Sequence, residues 1–395
     1  MAHGLTITES TAGARAIVPA SLAVIGIVGT ATADPDVEGA QAALDAAFPL
    51  DTPVLIAGNV AAAAGQAGIG GTLRPALRAI ADQTSAIVIV VRVAEGDGED
   101  EEEIAEDQDE KVIGDTDGTS YSGLQALLAA QSRVGVSPRI IGCPGLDSQA
   151  VTAAMAIVAR KLRGQAYAAA QGASVAEAIT YREDFSEREL MLIWPGTDAT
   201  FPGDIVARAL GLRARIDEEQ GWHKTISNVA LAGVTGMELD VHFDLLDPST
   251  EAGVLNDKQV TTIIRQNGFR LWGNRTCADP QTQPEWSFES AVRTSAALKD
   301  EIASIVAPFL DQPMTIGLIK DLLETGNARF RQLAIEGRIV GAEMFFDADE
   351  NSAQELAAGR PHFRIEFTPA APLENPQIGL VITDYYYTGF ADQLL

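Results

Sequence analysis

The sequence has few cysteines and histidines, is short of basic residues, and lacks any long uncharged apolar run. Its 395 residues include two cysteines, Cys143 and Cys277, and four histidines. Two cysteines build neither a disulfide framework nor a zinc site, which favours a reducing compartment. The lack of an apolar run long enough to span a bilayer excludes a transmembrane helix. The first residues, MAHGLTITES, lack the basic and then apolar layout of a secretory signal.

Acidic residues far outnumber basic ones. The chain has 28 Lys and Arg against 55 Asp and Glu, a formal net charge of −27. Nucleic acids and anionic membranes attract clustered Lys and Arg, so this balance argues against both as partners. Residues 95–110, EGDGEDEEEIAEDQDE, hold eleven acids and no base. Like charges at this density repel one another, so we expect an acidic surface loop over residues 95–121, without the spacing of a calcium loop.

Apolar runs alternate with helical patterns over the first half of the chain. The predicted strands cover residues 22–28, 54–57, 86–91, 139–143, 166–170 and 189–194. The run AIVIVV at 86–91 is rich in β-branched residues, which suits a strand buried on both faces. Strands separated by helices predict an α/β fold with a mostly parallel, doubly wound sheet.

The clearest helical pattern begins after the fourth predicted strand. Its apolar positions are Val151, Ala154, Met155, Val158 and Leu162. This spacing places them on one face of a helix. Asp147 or Ser148 is the expected N-cap, and Gly164 is the expected stop.

The pattern changes near residue 281, where two helices precede two strands. The first helix is marked by Leu298, Ile302, Ile305 and Phe309, and the second by Ile316, Ile319, Leu323, Phe330 and Leu333. Gly337 is the expected end of the second helix, and the strands are predicted at 339–346 and 362–368. This order indicates a separate C-terminal α+β domain.

Both ends of the chain carry strand patterns outside the compact body. Leu5 and Ile7 alternate near the start, and Ile378, Leu380 and Ile382 alternate after a proline-containing linker. An isolated strand is unstable in water and needs a sheet edge with which to pair. The pattern alone leaves two alternatives open: each end folds back onto its own body, or it reaches another subunit.

Neither a metal site nor a phosphate site is complete. The four histidines are not spaced from cysteine, glutamate or one another as metal ligands. Residues 68–72, GIGGT, lack the Lys-Ser/Thr of a P-loop and the glycine spacing of a dinucleotide-binding turn. We interpret this segment as a loop that leads into a helix.

Gly118-Thr119-Ser120 contains the residues that surround the nucleophile of subtilisin-type proteases. Such a serine needs a histidine base and an acid, both of which precede it in that fold. The only earlier histidine is His3, on the N-terminal segment. The sequence therefore argues against a hydrolase.

His223 lies between Trp222 and Lys224, close to Asp217 and Glu218 in sequence. One interpretation is a general base beside a carboxylate. The other, which we favour, is a structural junction formed where a helix ends just before this segment.

Long motifs in the same region resemble a known family. GLRARIDEEQGWHKTISNVALAGVTG (211–236) and GFRLWGNRTC (268–277) resemble the tail sheath proteins of contractile-tailed bacteriophages, in the temperate-myophage branch. Further matches are PVLIAGNV (53–60), GTLRPALRAIADQ (71–83), VGVSPRIIGCPGLDSQAV (134–151), FSERELMLIWP (185–195) and PLENPQIGLVITDYY (372–386). They occur in the family's order and cover nearly the whole chain.

The resemblance implies a structural subunit that is not an enzyme and has no cofactor. Related sheaths, including those of R-type pyocins and type VI secretion machines, are stacked six-fold rings around an inner tail tube. After a baseplate trigger, such a sheath shortens and drives the tube through the target envelope. The implied partners are further copies of the chain, the inner tail tube protein, the baseplate and the tail terminator. The implied location is the virion tail, assembled in the host bacterial cytoplasm.

The resemblance also implies roles for particular segments. The core sheet is expected to have a subtilisin-like topology, and both terminal arms are expected to add strands to sheets of neighbouring subunits. The implied tube contact is the helix at 315–336, with Lys320, Arg329 and Arg331 as candidates. The alternative is that these three side chains only solubilise a surface helix.

The expected domains follow from these patterns and from the resemblance. They are an N-terminal arm (1–20), the first part of the core (21–94), the acidic loop (95–121), the rest of the core (122–280), the C-terminal α+β domain (281–370) and a C-terminal arm (371–395). The competing hypothesis is an α/β hydrolase-like enzyme with a helical accessory domain, for which Ser120 or His223 would be essential.

Overall fold

The computed structural model describes residues 22–388 of the chain. In this part a nine-stranded sheet forms the centre of the molecule, and a second sheet has two strands. Helices flank both sheets, so the α/β core and the smaller α+β unit agree with the predicted pattern. Residues 22–388 include no helix that is both long enough and apolar enough to cross a membrane.

The larger sheet is mostly parallel. Its strands are β1 (Ile25–Thr30), β2 (Val54–Ala57), β3 (Ile87–Val93), β4 (Ile140–Gly142), β5 (Gln165–Ala169), β6 (Leu190–Ile193), β7 (Val229–Ala230), β8 (Val260–Arg265) and β9 (Phe269–Trp272). They lie in the order β2-β3-β1-β4-β5-β6-β8-β9-β7. The six strands from β3 to β8 in this order are parallel. The pairs β2-β3, β8-β9 and β9-β7 are antiparallel.

Helices cover both faces of this sheet and build the C-terminal unit. They are α1 (Ala40–Ala47), α2 (Val60–Gln66), α3 (Leu73–Ala81), α4 (Glu101–Ile113), α5 (Ala130–Val134), α6 (Gln149–Leu162), α7 (Val175–Glu183), α8 (Asp204–Glu219), α9 (Glu251–Asp257), α10 (Glu289–Val306), α11 (Ile316–Ile335) and α12 (Ala353–Ala357).

The central strand β3 shows how two cores form on one sheet. Successive side chains of a strand point to opposite faces. Val88 and Val90 join the apolar cluster that contains α3 and α8, whereas Ile89 and Val91 join the cluster that contains α6. All four are fully buried. The continuous apolar run predicted this two-sided burial.

Helix α6 confirms its predicted cap and face. The Ser148 hydroxyl accepts a hydrogen bond from the backbone N–H of Val151 at 3.2 Å, so Ser148, and not Asp147, is the N-cap. The helix ends at Leu162 because Arg163 takes a left-handed conformation, with φ of 53°. The stop therefore falls one residue before the predicted Gly164.

The C-terminal unit has its own apolar cluster. Strands β10 (Ile339–Phe346) and β11 (Phe363–Pro369) pair antiparallel, and α10 and α11 pack against them. Phe330 and Leu333 of α11 are buried in this cluster with Met344 of β10. Gly337, with φ of 73°, follows the end of α11 as predicted.

The acidic segment differs from the expected loop, because α4 occupies residues 101–113. The Asp100 side chain accepts hydrogen bonds from the N–H groups of Glu102 and Glu103, and so caps the helix. Acids in the first turn are favourable beside the positive end of the helix dipole. Lys111 pairs with Asp107 in the last turn. Local capping therefore outweighs the repulsion, and the segment is an exposed helix preceded by a short loop.

Candidate functional site

Ser120 lies in an exposed turn closed by a carboxylate. Asp117 accepts hydrogen bonds from the N–H and hydroxyl groups of Ser120 and Thr119, and these bonds hold the pKa of Asp117 well below its ordinary value. The Ser120 hydroxyl donates to Asp117 at 3.0 Å. No histidine in residues 22–388 is hydrogen-bonded to Ser120. This arrangement stabilises a turn and provides no base for a nucleophile.

His223 is half-buried beside Trp222, with ring centroids 5.7 Å apart. Burial, followed by nearby positive charges, lowers the pKa of His223. Asp217 pairs with two buried arginines instead, and Glu218 accepts a hydrogen bond from Thr84. The structure therefore does not join His223 to either candidate carboxylate and agrees with the junction interpretation.

The glycine-rich loop before α3 uses its backbone donors within the fold. The N–H groups of Ile69 and Thr72 donate to the carbonyl groups of Thr32 and Thr30, at 2.9 and 3.0 Å. Gly68 has φ of +68°, and a Cβ there would clash with the Thr32 backbone. A phosphate-binding loop needs such donors free, so the loop is structural.

Neither cysteine is poised for chemistry. Cys143 and Cys277 are both free and buried. Burial raises the pKa of Cys277 to about 12 and that of Cys143 further. Across residues 22–388, no group of three or more His, Cys, Asp or Glu side chains is placed to hold a metal ion.

The most unusual surface is the apolar segment after β11. Ile378, Leu380 and Ile382 are 86%, 96% and 98% exposed. Residues 370–383 belong to no helix or strand. Leu5 and Ile7, the matching candidates at the other end, lie outside the described residues. Exposed apolar side chains in an extended segment are typical of a chain that pairs elsewhere.

One ion pair ties the start of this segment to the body. Glu374 accepts two hydrogen bonds from the Arg275 guanidinium, which also lies 4.1 Å from the ring centroid of Phe288. The contact leaves the alternating apolar residues further along the chain uncovered. Sequence reasoning missed this pair, because the two residues are 99 positions apart.

The small sheet offers one edge that a further strand could use. β10 and β11 pair with each other and, in the described chain, with no third strand. On β10 the outward N–H and C=O of Met344 are already hydrogen-bonded to the Asn327 side chain, both at 2.8 Å. The outer edge of β11 is therefore the one left for pairing with a further strand. One face of this sheet packs on α11, which would support an added strand.

The three candidate tube contacts on α11 have different surroundings. Lys320 is exposed. Arg331 is exposed and pairs with Glu324 at 2.7 Å. Arg329 is mostly buried and donates two hydrogen bonds to Glu301 of α10, at 2.6 and 3.0 Å. Lys320 and Arg331 are thus accessible, whereas Arg329 stabilises the contact between α10 and α11.

A buried ionic network joins the C-terminal unit to the sheet. Arg213 of α8 pairs with Asp217 at 2.9 Å and with Glu289 of α10 at 3.2 Å. Arg293 of α10 also pairs with Asp217, and the Tyr167 hydroxyl donates to Glu289 at 2.8 Å. Two arginines balance two carboxylates, so the charges are compensated. The i,i+4 spacing within each helix was the only signal of this network in the sequence.

Comparison with known proteins identifies the family. The family model of the phage tail sheath protein central domain matches residues 119–277. The tail sheath protein of Escherichia phage P2 is 44% identical over 393 residues, which cover 97% of this chain and 96% of that protein. The chain belongs to the phage tail sheath protein family. The major tail sheath protein of Serratia phage KSP20 is also similar to this sheath protein, at 42% identity over 98% of this chain and 96% of that protein.

Solved structures of sheaths share the fold. The helical sheath of the anti-feeding prophage in its contracted state is similar with a TM-score of 0.68 and 18% identity, over 96% of this chain and 98% of that chain. The sheath complex of the PVC contractile injection system in its contracted state has a TM-score of 0.68 and 13% identity, over 98% and 99% of the two chains. Because its family consists of structural tail proteins, the sheath protein is a structural subunit and not an enzyme. The hydrolase alternative has no support from these relatives.

Proposed function

We propose that the sheath protein polymerises around the inner tail tube as stacked six-fold rings, and that the polymer contracts to drive the tube through the target cell envelope. Family membership and the sheath assemblies formed by its structural neighbours support this function. The observation that carries it is the apolar, uncovered C-terminal segment of a chain whose body is otherwise well packed. The core topology is proposed to be subtilisin-like.

The terminal arms would join subunits by adding strands to sheets. Strand addition takes its affinity from main-chain hydrogen bonds and its register from alternate side chains. Ile378, Leu380 and Ile382 have this period, as do Leu5 and Ile7. The 25 residues from 371 to 395 would reach up to about 85 Å when extended, which is far enough to meet a neighbour. The outer edge of β11 is the proposed acceptor.

Such joints would allow contraction without loss of connection. A strand held at a neighbour's sheet edge stays paired while its linker lets the body rotate. Small free-energy differences between two packings, repeated along the polymer, would then drive a large change of shape.

Further partners follow from the same function. The inner tail tube would meet α11, through Lys320 and Arg331 among the original candidates. The baseplate would start contraction and the tail terminator would close the far end; one structural neighbour is itself part of an anti-feeding prophage baseplate. The subunit would be assembled in the host bacterial cytoplasm and carried in the virion tail. The division of the chain into the six expected domains stays a prediction, and helix α4 lies within the acidic domain at 95–121.

Removal of the C-terminal arm tests this function. Deletion of residues 373–395 is expected to leave a folded body that does not polymerise, as measured by circular dichroism and electron microscopy. Replacement of Ile378, Leu380 and Ile382 by serine should have the same effect at full chain length. The control replaces Gln377 and Thr383, on the other face of the same segment, and should polymerise normally. Sheaths of ordinary length from the deletion variant would refute the role of the arm.

A further inference from the structure

A basic groove lies where α6 ends and β6 begins. It is lined by Arg160 and Arg163 at the end of α6, by Arg188 just before β6, by Lys299 of α10 and by Trp286. Arg160, Arg163 and Lys299 are exposed. The Arg188 guanidinium lies 4.3 Å from the ring centroid of Trp286, which holds it at the groove wall.

The groove carries more positive charge than its own acids neutralise. Arg163 pairs with Asp300 at 2.7 Å, and Arg188 pairs with Glu189 at 3.0 Å. Arg160 and Lys299 form no ion pair within residues 22–388. On a chain with a net charge of −27, a surface with two uncompensated cations attracts an acidic partner.

The densest acidic surface of the chain is α4 together with the short loop before it. Glu101, Glu102, Glu103 and Glu106 are all exposed. The far end of the helix is held in place, because α4 packs on α6 and the Ser148 hydroxyl donates to Asp109 at 2.6 Å. The acids therefore form a fixed, folded surface, which loses less conformational freedom on binding than a loop.

The two charged surfaces lie at opposite ends of the parallel strands. The acidic segment follows the carboxyl end of β3, whereas Arg163 and Arg188 precede the amino ends of β5 and β6. These strands are parallel, so the two surfaces are separated by the length of a strand, roughly 20 Å. Opposite charges at opposite ends of a subunit favour a head-to-tail contact between copies, which continues into a ring or a filament.

We propose that the basic groove binds α4 of a neighbouring copy of this chain, and that this contact orients subunits head to tail in the polymer. The proposal rests on the polymerisation proposed above. It assigns the acidic segment a role as the ligand of the groove. The contact is exposed to solvent, so added salt should weaken it.

Charge reversal on each side of the contact tests the proposal. One full-length variant carries Arg160→Glu and Lys299→Glu, and the other carries Glu102→Lys and Glu106→Lys. Each should fold, as judged by circular dichroism. The critical concentration for polymer formation, measured by sedimentation and electron microscopy, should rise at least about tenfold. The matched control, Arg133→Glu with Lys258→Glu, has the same net charge as the groove variant and should polymerise like the unmodified chain.

The decisive measurement mixes the two variants in equal amounts. The reversed groove of one then meets the reversed helix of the other, and the two unreversed surfaces also match, so the mixture should polymerise near the original critical concentration. This rescue requires the contact to lie between copies.

Failure of the mixture to polymerise would overturn the proposal, as would normal polymerisation of either variant alone or an equal defect in the control. A groove variant that forms sheaths but no longer co-sediments with tube protein would assign the groove to the tube and also overturn it. If the unmodified chain does not polymerise, the proposed function itself fails.

Discussion

At the scale of single residues, Asp147 shows how burial removes a carboxyl group from the water that would stabilise its charge. It lies between β4 and α6 and accepts a hydrogen bond from the N–H of Ala169 at 2.6 Å. Burial is the main influence and raises the pKa of Asp147 to about 6, although hydrogen bonds act in the opposite direction. At neutral pH the group is charged and has no cationic partner in the described chain, which costs stability.

Replacement of Asp147 by asparagine should stabilise the fold at neutral pH. The folded-state pKa lies above the ordinary value of 3.8, so the contribution of this group to stability is greatest at low pH and is lost as the pH rises through about 6. The shift of about two pKa units corresponds to about 3 kcal/mol at pH 8 and to roughly half of that at pH 5. Urea unfolding of Asp147→Asn at both pH values measures the gain.

Asp117 provides the control of opposite sign. Its hydrogen bonds in the Ser120 turn lower its pKa, so the charged form is favoured in the fold, and Asp117→Asn should give no stabilisation at pH 8. An equal gain for both variants, or a gain for Asp147→Asn that does not change with pH, would contradict the assignment.

At the scale of elements, α4 and α11 show how local and tertiary effects divide. The acids of α4 predicted a solvated loop, but Asp100 caps a helix, and Val112 near the end of that helix is buried. The apolar period of α11 predicted the helix and its end correctly, yet gave no information on which of its cations is free. Arg329 is bound to Glu301 of α10 because the two helices pack together.

The proposed tube contact is tested on α11 through its exposed cations. Lys320→Glu with Arg331→Glu should weaken co-sedimentation with the tube protein by about tenfold, because attraction to acidic tube residues becomes repulsion. Arg329 is left unchanged, since its replacement would leave Glu301 buried without its partner. The matched control is Lys258→Glu with Arg360→Glu, which also combines an exposed lysine with an exposed, paired arginine. Co-sedimentation equal to that of the unmodified protein would show that α11 cations only solubilise the helix.

At the scale of the whole molecule, the chain joins a rigid body to an uncovered arm. The buried network around Arg213 and Glu289 fastens the C-terminal unit to the sheet, so both should move together. The segment with Ile378, Leu380 and Ile382 is exposed in the single subunit. A stiff body with a pairing arm is suited to mechanical work in an assembly.

Polymers of the purified sheath protein should form and persist without nucleotide or metal. The free energy for contraction would be stored in subunit contacts during assembly, so no cofactor is required. Electron microscopy of protein assembled with a chelator and without nucleotide should show the same tubes as protein assembled with ATP and magnesium. An absolute requirement for ATP would contradict this view of the mechanism.

Much of the fold was predictable because its signals are local. Six predicted strands correspond to β1–β6, with boundaries shifted by no more than three residues. Ser148 and Gly337 mark helix ends as predicted, since caps act over a few neighbouring residues. Strands β7–β9 were not predicted. β7 has two residues, too few for a period, whereas β8 has six residues, VTTIIR, whose apolar side chains do not alternate.

The sequence by itself determined the apolar periods, the caps, the net charge, the alternating pattern of the C-terminal arm and the family. The tertiary structure alone decided which distant charges meet. Arg139 and Asp300 pair across 161 positions, and Arg275 meets Glu374 across 99. It also placed the acidic helix and the basic groove at opposite ends of the parallel strands of one sheet. The physical reason is that hydrophobic periodicity and capping act between near neighbours in the chain, whereas ion pairs and surface charge patterns depend on how the strands are ordered and packed.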